Sequence, residues 1–310
     1  MAHRYVVVLG ILLSGAILLV QGVVEFSDAS RIPATHRNHS HVKVVRAPQN
    51  LVLRSASAWV EDQLTGECLV QKQAEALLPI ASITKLMTAM VVLDANMNLQ
   101  ESLTIVSEDV DTLRHSRSRL PVNTRLKRGN ALLLALMASE NRAAHALGRT
   151  YPGGLGTFVA AMNTKARSLG LVETRFEDPT GISSGNVSSA RDLARMVNAA
   201  YNYPLIREYT TCKETTIRLG RRTLAFHNTN RLIRSPRWQI GLSKTGFIDE
   251  AGRCLVMQSQ VAKRPVLIVL LDAQGKLTRY GDANRIKQWM EGSQAVRHMR
   301  LNRAFVRYSM

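Results

Sequence analysis

The sequence predicts an α/β (α+β) fold, an antiparallel sheet flanked by helices with a helical lobe inserted into it. Three observations carry this. Period-two apolar runs typical of strands occur at 56–70 and again from 214 to 271. Residues 96–204 lie between them and carry mainly helix-period runs. Three strand runs near the end are joined by short turns, which make neighbouring strands antiparallel.

Taken in order, His3 and Arg4 precede an apolar run from Tyr5 to Val24, broken only by Ser14, Gln21 and three glycines. A charged start followed by an apolar stretch is the pattern of an export signal. Ser27-Asp28-Ala29 offers small residues where a signal peptidase reads, so residues 1–29 are expected to be a cleaved signal peptide. The run is long enough that an uncleaved N-terminal anchor is the alternative. On either reading the chain works beyond the cytoplasmic membrane, in the periplasm. Residues 30–50 are polar, basic and without periodicity, which predicts a linker. His36, His39 and His41 lie in it and are expected to be solvated, not metal-bound.

Ala56–Glu61 and Glu67–Val70 read as a hairpin turning at Gly66. From Ile83 the chain reads as a buried helix, because Leu86, Met87, Met90, Val91 and Leu93 leave almost no polar face. Leu132–Met137 is apolar all round and predicts a second buried helix, and Arg142–Arg149 a third. Leu155–Leu169 makes another, which Gly170 is placed to end. Ser189-Ala190-Arg191-Asp192 predicts a capping box, followed by the stripe Leu193, Met196, Val197 and Ala200. Strand periods return at Thr215–Leu219 and Arg222–Phe226. Gln239–Phe247, Cys254–Met257 and Val266–Leu271 predict the three sheet strands, and Gly281–Met290 a closing helix. The lobes are thus expected at 51–95 with 205–295 for the sheet, and 96–204 for the helices. A basic tail, 296–310, is expected to be a solvated, frayed terminus or a weak membrane-surface or wall-binding helix.

Composition excludes several classes. At 45% hydrophobic and 21% charged, the 310 residues are neither disordered nor fibrous. The net charge of +18 predicts attraction to an anionic surface. Only 5% of residues are aromatic and no basic run is interleaved with them, so no nucleic acid partner is expected. Cys68, Cys212 and Cys254 are far apart with no C-x-x-C, and no H-E-x-x-H occurs, so no metal site and no cofactor is expected.

The chemistry starts at Pro79-Ile80-Ala81-Ser82-Ile83-Thr84-Lys85. Ser82 falls at a helix start, where unpaired N–H groups favour negative charge near its oxygen. Lys85, three residues on, rises on the same face, so the pair makes a nucleophile and base candidate. Alone, the same residues fit a helix cap and a solvated lysine. Ser139-Glu140-Asn141, small polar residues between two helices, suggests side chains aimed into a cleft, with capping of the second helix as the plainer reading. Lys244-Thr245-Gly246 lies on a predicted strand.

Ser82-Ile83-Thr84-Lys85, Ser139-Glu140-Asn141 and Lys244-Thr245-Gly246 follow the order of the S-x-x-K, S-x-N and K-T-G set of penicillin-binding proteins and class A β-lactamases. Over most of residues 55–290 the chain resembles the low-molecular-weight penicillin-binding proteins, in particular their D-alanyl-D-alanine endopeptidase branch. Tyr151-Pro152-Gly153-Gly154, Asp178-Pro179-Thr180-Gly181, Asn228-Thr229-Asn230 and Phe247 add to the resemblance. It implies a DD-peptidase/β-lactamase-like fold with the site in the cleft between sheet and helical lobe, and a catalytic domain over 51–295. It also implies a serine D,D-endopeptidase that cleaves peptidoglycan peptide stems through an acyl-serine and is acylated by β-lactams.

In that reading Ser82 is the nucleophile and Lys85 its base, which must be neutral; burial and repulsion from Lys244 are expected to lower its pKa. Ser139 relays a proton between Lys85 and the leaving amine. Asn141, Lys244, Thr245, Gly246 and Phe247 bind substrate, Asn141 holding either the substrate backbone or Lys85, and Gly246 by removing a Cβ that would obstruct a strand-like substrate. The backbone N–H groups of Ser82 and Phe247 form the oxyanion hole. A D-alanyl-D-alanine carboxypeptidase shares all three motifs. A class A β-lactamase is disfavoured, because its E-x-x-L-N loop is missing and Ser139-Glu140-Asn141 departs from S-D-N. A wall-binding protein without turnover is disfavoured because all three motifs are intact.

Overall fold

A hairpin of β1 (Ser55–Asp62) and β2 (Cys68–Lys72) opens the fold, paired antiparallel as the sequence suggested. Its turn is set by Asp62, whose carboxylate accepts from the Leu64 and Thr65 amides, and by Gly66 at φ +69°. The structure, a computed structural model, describes residues 51–219 and 222–307, the stretch from 294 on as backbone only. The expected signal peptide or anchor and the linker, residues 1–50, lie outside the described residues.

After the hairpin come β3 (Leu78–Pro79), a tight 3-10 turn at Ala81–Thr84, and α1 (Lys85–Asp94). The short β4 (Ser102–Thr104) and β5 (Arg125–Lys127) pair with each other. Then follow α2 (Arg128–Met137), α3 (Asn141–Arg149) and α4 (Gly154–Ser168). β6 (Val187–Ser188) returns to pair with β3, so the chain beyond the helical lobe is tied to the segment that leads into α1. α5 (Ala190–Tyr201) and α6 (Pro204–Thr211) precede β7 (Glu214–Leu219) and β8 (Arg222–His227). Among the described residues these two strands pair only with one another, outside the main sheet. β9 (Gln239–Ile248), β10 (Gly252–Val261) and β11 (Arg264–Ala273) form the expected antiparallel run, and α7 (Thr278–Arg307) closes the described chain.

The five-stranded sheet has the order β2-β1-β11-β10-β9, which leaves β9 at an edge. Period two divides its side chains between two cores. Val266, Ile268 and Leu270 of β11 meet Tyr280, Ala283 and Ile286 of α7 on one face, while Leu267, Val269 and Leu271 face the core that holds α1 and α5. Each such buried side chain contributes roughly 1.5–3 kcal/mol, so the middle of the sheet is a rigid base for the edge strand. α5 packs on β1, β10 and β11.

Three local readings are corrected. Ser189 does cap α5, accepting from the Asp192 amide, but the reciprocal half of the capping box is replaced. The Asp192 carboxylate accepts instead from the Glu173 amide and Thr174, tying α5 to the preceding loop. The closing helix continues past Met290 to Arg307, so the tail up to that residue has helical backbone instead of fraying. Finally, α6 was unforeseen, although Pro204 at its first turn is a start signal. Cys68, Cys212 and Cys254 are free thiols. Among the described residues no helix is long and apolar enough to cross a membrane.

Candidate active site

Ser82 sits in the 3-10 turn, not at the first turn of an α-helix as expected; α1 begins only at Lys85. The distinction matters, because a 3-10 turn eclipses side chains at i and i+3. Ser82 and Lys85 therefore stand over one another, Nζ 2.8 Å from Oγ. The turn starts from Ala81 at φ +47°, an uncommon conformation for a residue with a Cβ. Gly181 and Gly246 enclose it from two sides. A Cβ on Gly181, which lies at φ +79°, would run into the Ala81 carbonyl, and one on Gly246 would lie 2.8 Å from the Ile80 carbonyl oxygen and 3.2 Å from the Ser82 nitrogen. Gly246 is thus needed for β9 to press against the turn that carries Ser82, a closer reason than the substrate clearance expected of it.

Lys85 is 1% exposed. Its Nζ donates to Asn141 Oδ1 at 2.7 Å and to the Thr180 carbonyl at 2.6 Å. A neutral amine has two N–H bonds and one lone pair, and two acceptors consume both N–H bonds. The lone pair then faces Ser82 Oγ. Burial pushes the Lys85 pKa down to about 7, against the opposing pull of the Asp178 and Glu140 carboxylates. The expected repulsion from Lys244 falls the other way. Lys244 is itself held well below the ordinary lysine range, first by burial and then by the positive charges of Lys85 and Arg279.

Ser139 links α2 to α3 at φ +59°, and Glu140, not Ser139, occupies the cap position of α3. Lys244, on β9, is also 1% exposed; its Nζ donates to Ser139 Oγ at 2.8 Å and to the Thr245 carbonyl at 3.0 Å. The Thr245 hydroxyl lies 2.6 Å from that of Thr229. The site is therefore two bonded sets, Ser82–Lys85–Asn141 and Ser139–Lys244. Among the described residues no hydrogen bond joins Ser139 to Ser82 or Lys85. Both sets face one cavity of about 270 Å³, lined by Ser82, Ser139, Asn141, Thr245, Gly246 and Phe247, with Thr229 and Arg279. Phe247 is 48% exposed, its ring stacked under the Arg253 guanidinium at 4.2 Å.

Four contributors escaped the sequence reading. The Thr180 carbonyl is oriented by a turn in which Asp178 Oδ1 accepts from the Thr180 and Gly181 amides. Ser116 Oγ accepts from Asn141 Nδ2 at 2.8 Å, which directs the amide oxygen of Asn141 to Lys85. Thr229 braces Thr245. Arg279, 7% exposed, donates to the Gly246 and Cys254 carbonyls and keeps an unpartnered Nε, bringing a fixed positive charge to the cavity.

A serine paired with a buried lysine of lowered pKa, facing an open cavity beside an edge strand, is the equipment of a serine hydrolase that works through an acyl-enzyme. The chain belongs to the peptidase S11 family, described as D-alanyl-D-alanine carboxypeptidase, whose family model matches residues 42–275. Within it, the chain is 49% identical over 251 residues to the D-alanyl-D-alanine endopeptidase of Pseudomonas aeruginosa, covering 80% of this chain and 81% of that one. It is 45% identical over 241 residues to the Escherichia coli D-alanyl-D-alanine endopeptidase, covering 77% and 78%. The crystal structure of the Streptomyces K15 DD-transpeptidase superposes with a TM-score of 0.72 at 28% identity, over 79% of this chain and 98% of that one.

Proposed function

We propose that this protein is a serine D,D-endopeptidase that hydrolyses D-alanyl peptide cross-links of peptidoglycan through an acyl-serine and is acylated at the same residue by β-lactams. The observation that carries it is the Lys85 amine, buried and with both N–H bonds directed to acceptors, 2.8 Å from the Ser82 hydroxyl. Lys85 takes the Ser82 proton as Oγ attacks the D-alanyl carbonyl. The Ser82 and Phe247 N–H groups receive the developing oxyanion. The proton that Lys85 took reaches the leaving amine through the Ser139 hydroxyl, which Lys244 holds in place; water then hydrolyses the ester, giving its proton to Lys85, which returns it to Ser82 Oγ. Thr245 and Lys244 hold the substrate's carbonyl or carboxylate, Asn141 its backbone, and the open edge of β9 lets the peptide lie alongside Gly246 and Phe247 as an added strand.

The preference for cross-links over terminal D-alanine rests on similarity to two endopeptidases. A purified sample offered a cross-linked peptide dimer and a free pentapeptide separates the choices. Cleavage of the dimer supports the endopeptidase; cleavage of the pentapeptide alone makes the protein a carboxypeptidase. An exported, periplasmic chain with residues 1–29 as its signal, a catalytic domain over 51–295, and a weak membrane-surface contact of the basic tail at 296–310 belong to the same proposal.

A further inference from the structure

A second groove, of about 460 Å³, is not used by the chemistry above. It runs between the 119–125 segment and β8, and Arg119, Arg125 and Arg222 line it over a floor that includes Val122 and Leu224. No acidic side chain lines it. The charges are presented outward: all three arginines are exposed, and among the described residues none of them forms an ion pair. Arg119 is fixed in place, its guanidinium donating to the Ala225 carbonyl and lying 5.8 Å from the Phe226 ring centroid.

Both walls are joined along the chain, within a few residues, to residues that line or support the catalytic cavity. Just upstream of Arg119, Ser116 holds Asn141, and Ser118 donates to the Glu140 carboxylate. Just beyond β8, Thr229 lines the cavity and braces Thr245. A long polymer with one bond at Ser82 has further segments that such a neighbouring groove can engage. An unneutralised triple positive charge there selects an anionic segment, and the free anions of a wall peptide are carboxylates.

We infer that the Arg119–Arg125–Arg222 groove is an exosite for a carboxylate-bearing stretch of the wall polymer, which it holds while another part of the same polymer is cut at Ser82. The inference rests on the endopeptidase reading for its substrate class, yet it is tested by binding alone. The full chain with Ser82→Ala is sedimented with isolated wall sacculi, and the same is done with Arg125→Gln/Arg222→Gln added. Lys263→Gln/Lys276→Gln removes equal charge from exposed sites elsewhere.

The groove pair should weaken sacculus binding roughly three- to tenfold at low salt, with the difference shrinking as salt rises. Arg222→Gln alone should give an intermediate loss. Blocking the wall carboxylates by amidation should lower binding of the unaltered groove to the level of the double variant. With Ser82 intact, the double variant should take fluorescent penicillin as fast as the parent, which also shows that it is folded. An equal loss from the Lys263/Lys276 pair, no loss from the groove pair, or binding indifferent to amidation would each overturn the exosite. Failure of the parent to take penicillin would instead strike the endopeptidase reading and leave the binding result standing.

Discussion

Two buried lysines in this molecule each sit 2.8 Å from a serine hydroxyl, and the surroundings give them different chemistry. Lys85 has two further acceptors, the Asn141 amide oxygen and the Thr180 carbonyl, and two carboxylates that hold its pKa near 7 instead of letting it fall further. Lys244 has one carbonyl acceptor, and it faces Lys85 and Arg279. The first arrangement orients a lone pair at a hydroxyl. The second holds a hydroxyl in place from β9. A Ser–Lys contact is thus a common part, and in the proposed mechanism the acceptors around the amine set whether the serine attacks or relays.

The sharpest way to break this contrast is to delete each hydroxyl in turn. Ser82→Ala should abolish labelling by a fluorescent penicillin and lower peptide hydrolysis by about 10⁵- to 10⁶-fold. Ser139→Ala should keep the label while slowing hydrolysis about 10²- to 10⁴-fold. Labelling lost in Ser139→Ala and kept in Ser82→Ala would reverse the roles.

Gly246→Ala tests whether the contrast depends on how closely β9 meets the turn bearing Ser82. The added Cβ would press on the Ile80 carbonyl and the Ser82 amide, and it should cost about 1–3 kcal/mol in a denaturant titration. Displacement of Ser82 should slow acylation about 100-fold. Unchanged acylation would mean the turn accommodates the methyl.

A smaller effect should come from Ser116→Ala, which removes the partner that directs Asn141. With one neutral hydrogen bond lost, acylation should slow about three- to tenfold. Ser116→Thr, which keeps a hydroxyl, should restore the rate; equal damage from both would point to loop packing instead of amide orientation.

The legible parts of this chain were those in which a side-chain pattern carries the information. β9, β10 and β11 were readable because both faces are buried and short turns join them, and the three motifs named Ser82, Lys85, Ser139, Asn141 and Lys244 directly. What escaped was carried by backbone or by context. The third partner of Lys85 is a peptide carbonyl at Thr180, which any residue could supply. Arg279 is one of 41 cationic residues, and only the fold brings it beneath Gly246. Ser116 lies in an irregular stretch where no periodicity gives its direction. The 3-10 turn at Ala81–Thr84 was hidden because its apolar residues continue the pattern of α1. The separation of β7 and β8 from the main sheet was equally hidden, since a strand's period does not say which strand it pairs with.

The central claim is that the Lys85 amine is neutral near physiological pH, and lysine carbon or nitrogen NMR across pH 5–11 reads it directly, with the Lys85 signal assigned by its loss in Lys85→Arg. The amine gains its proton as pH falls, so the base should disappear below its midpoint and acylation should drop roughly tenfold per pH unit there. A Lys85 titration midpoint near 7, coinciding with the midpoint of the acylation profile, is the expected result. A midpoint near the ordinary lysine value of about 10.4, with acylation unchanged through neutral pH, would contradict the account.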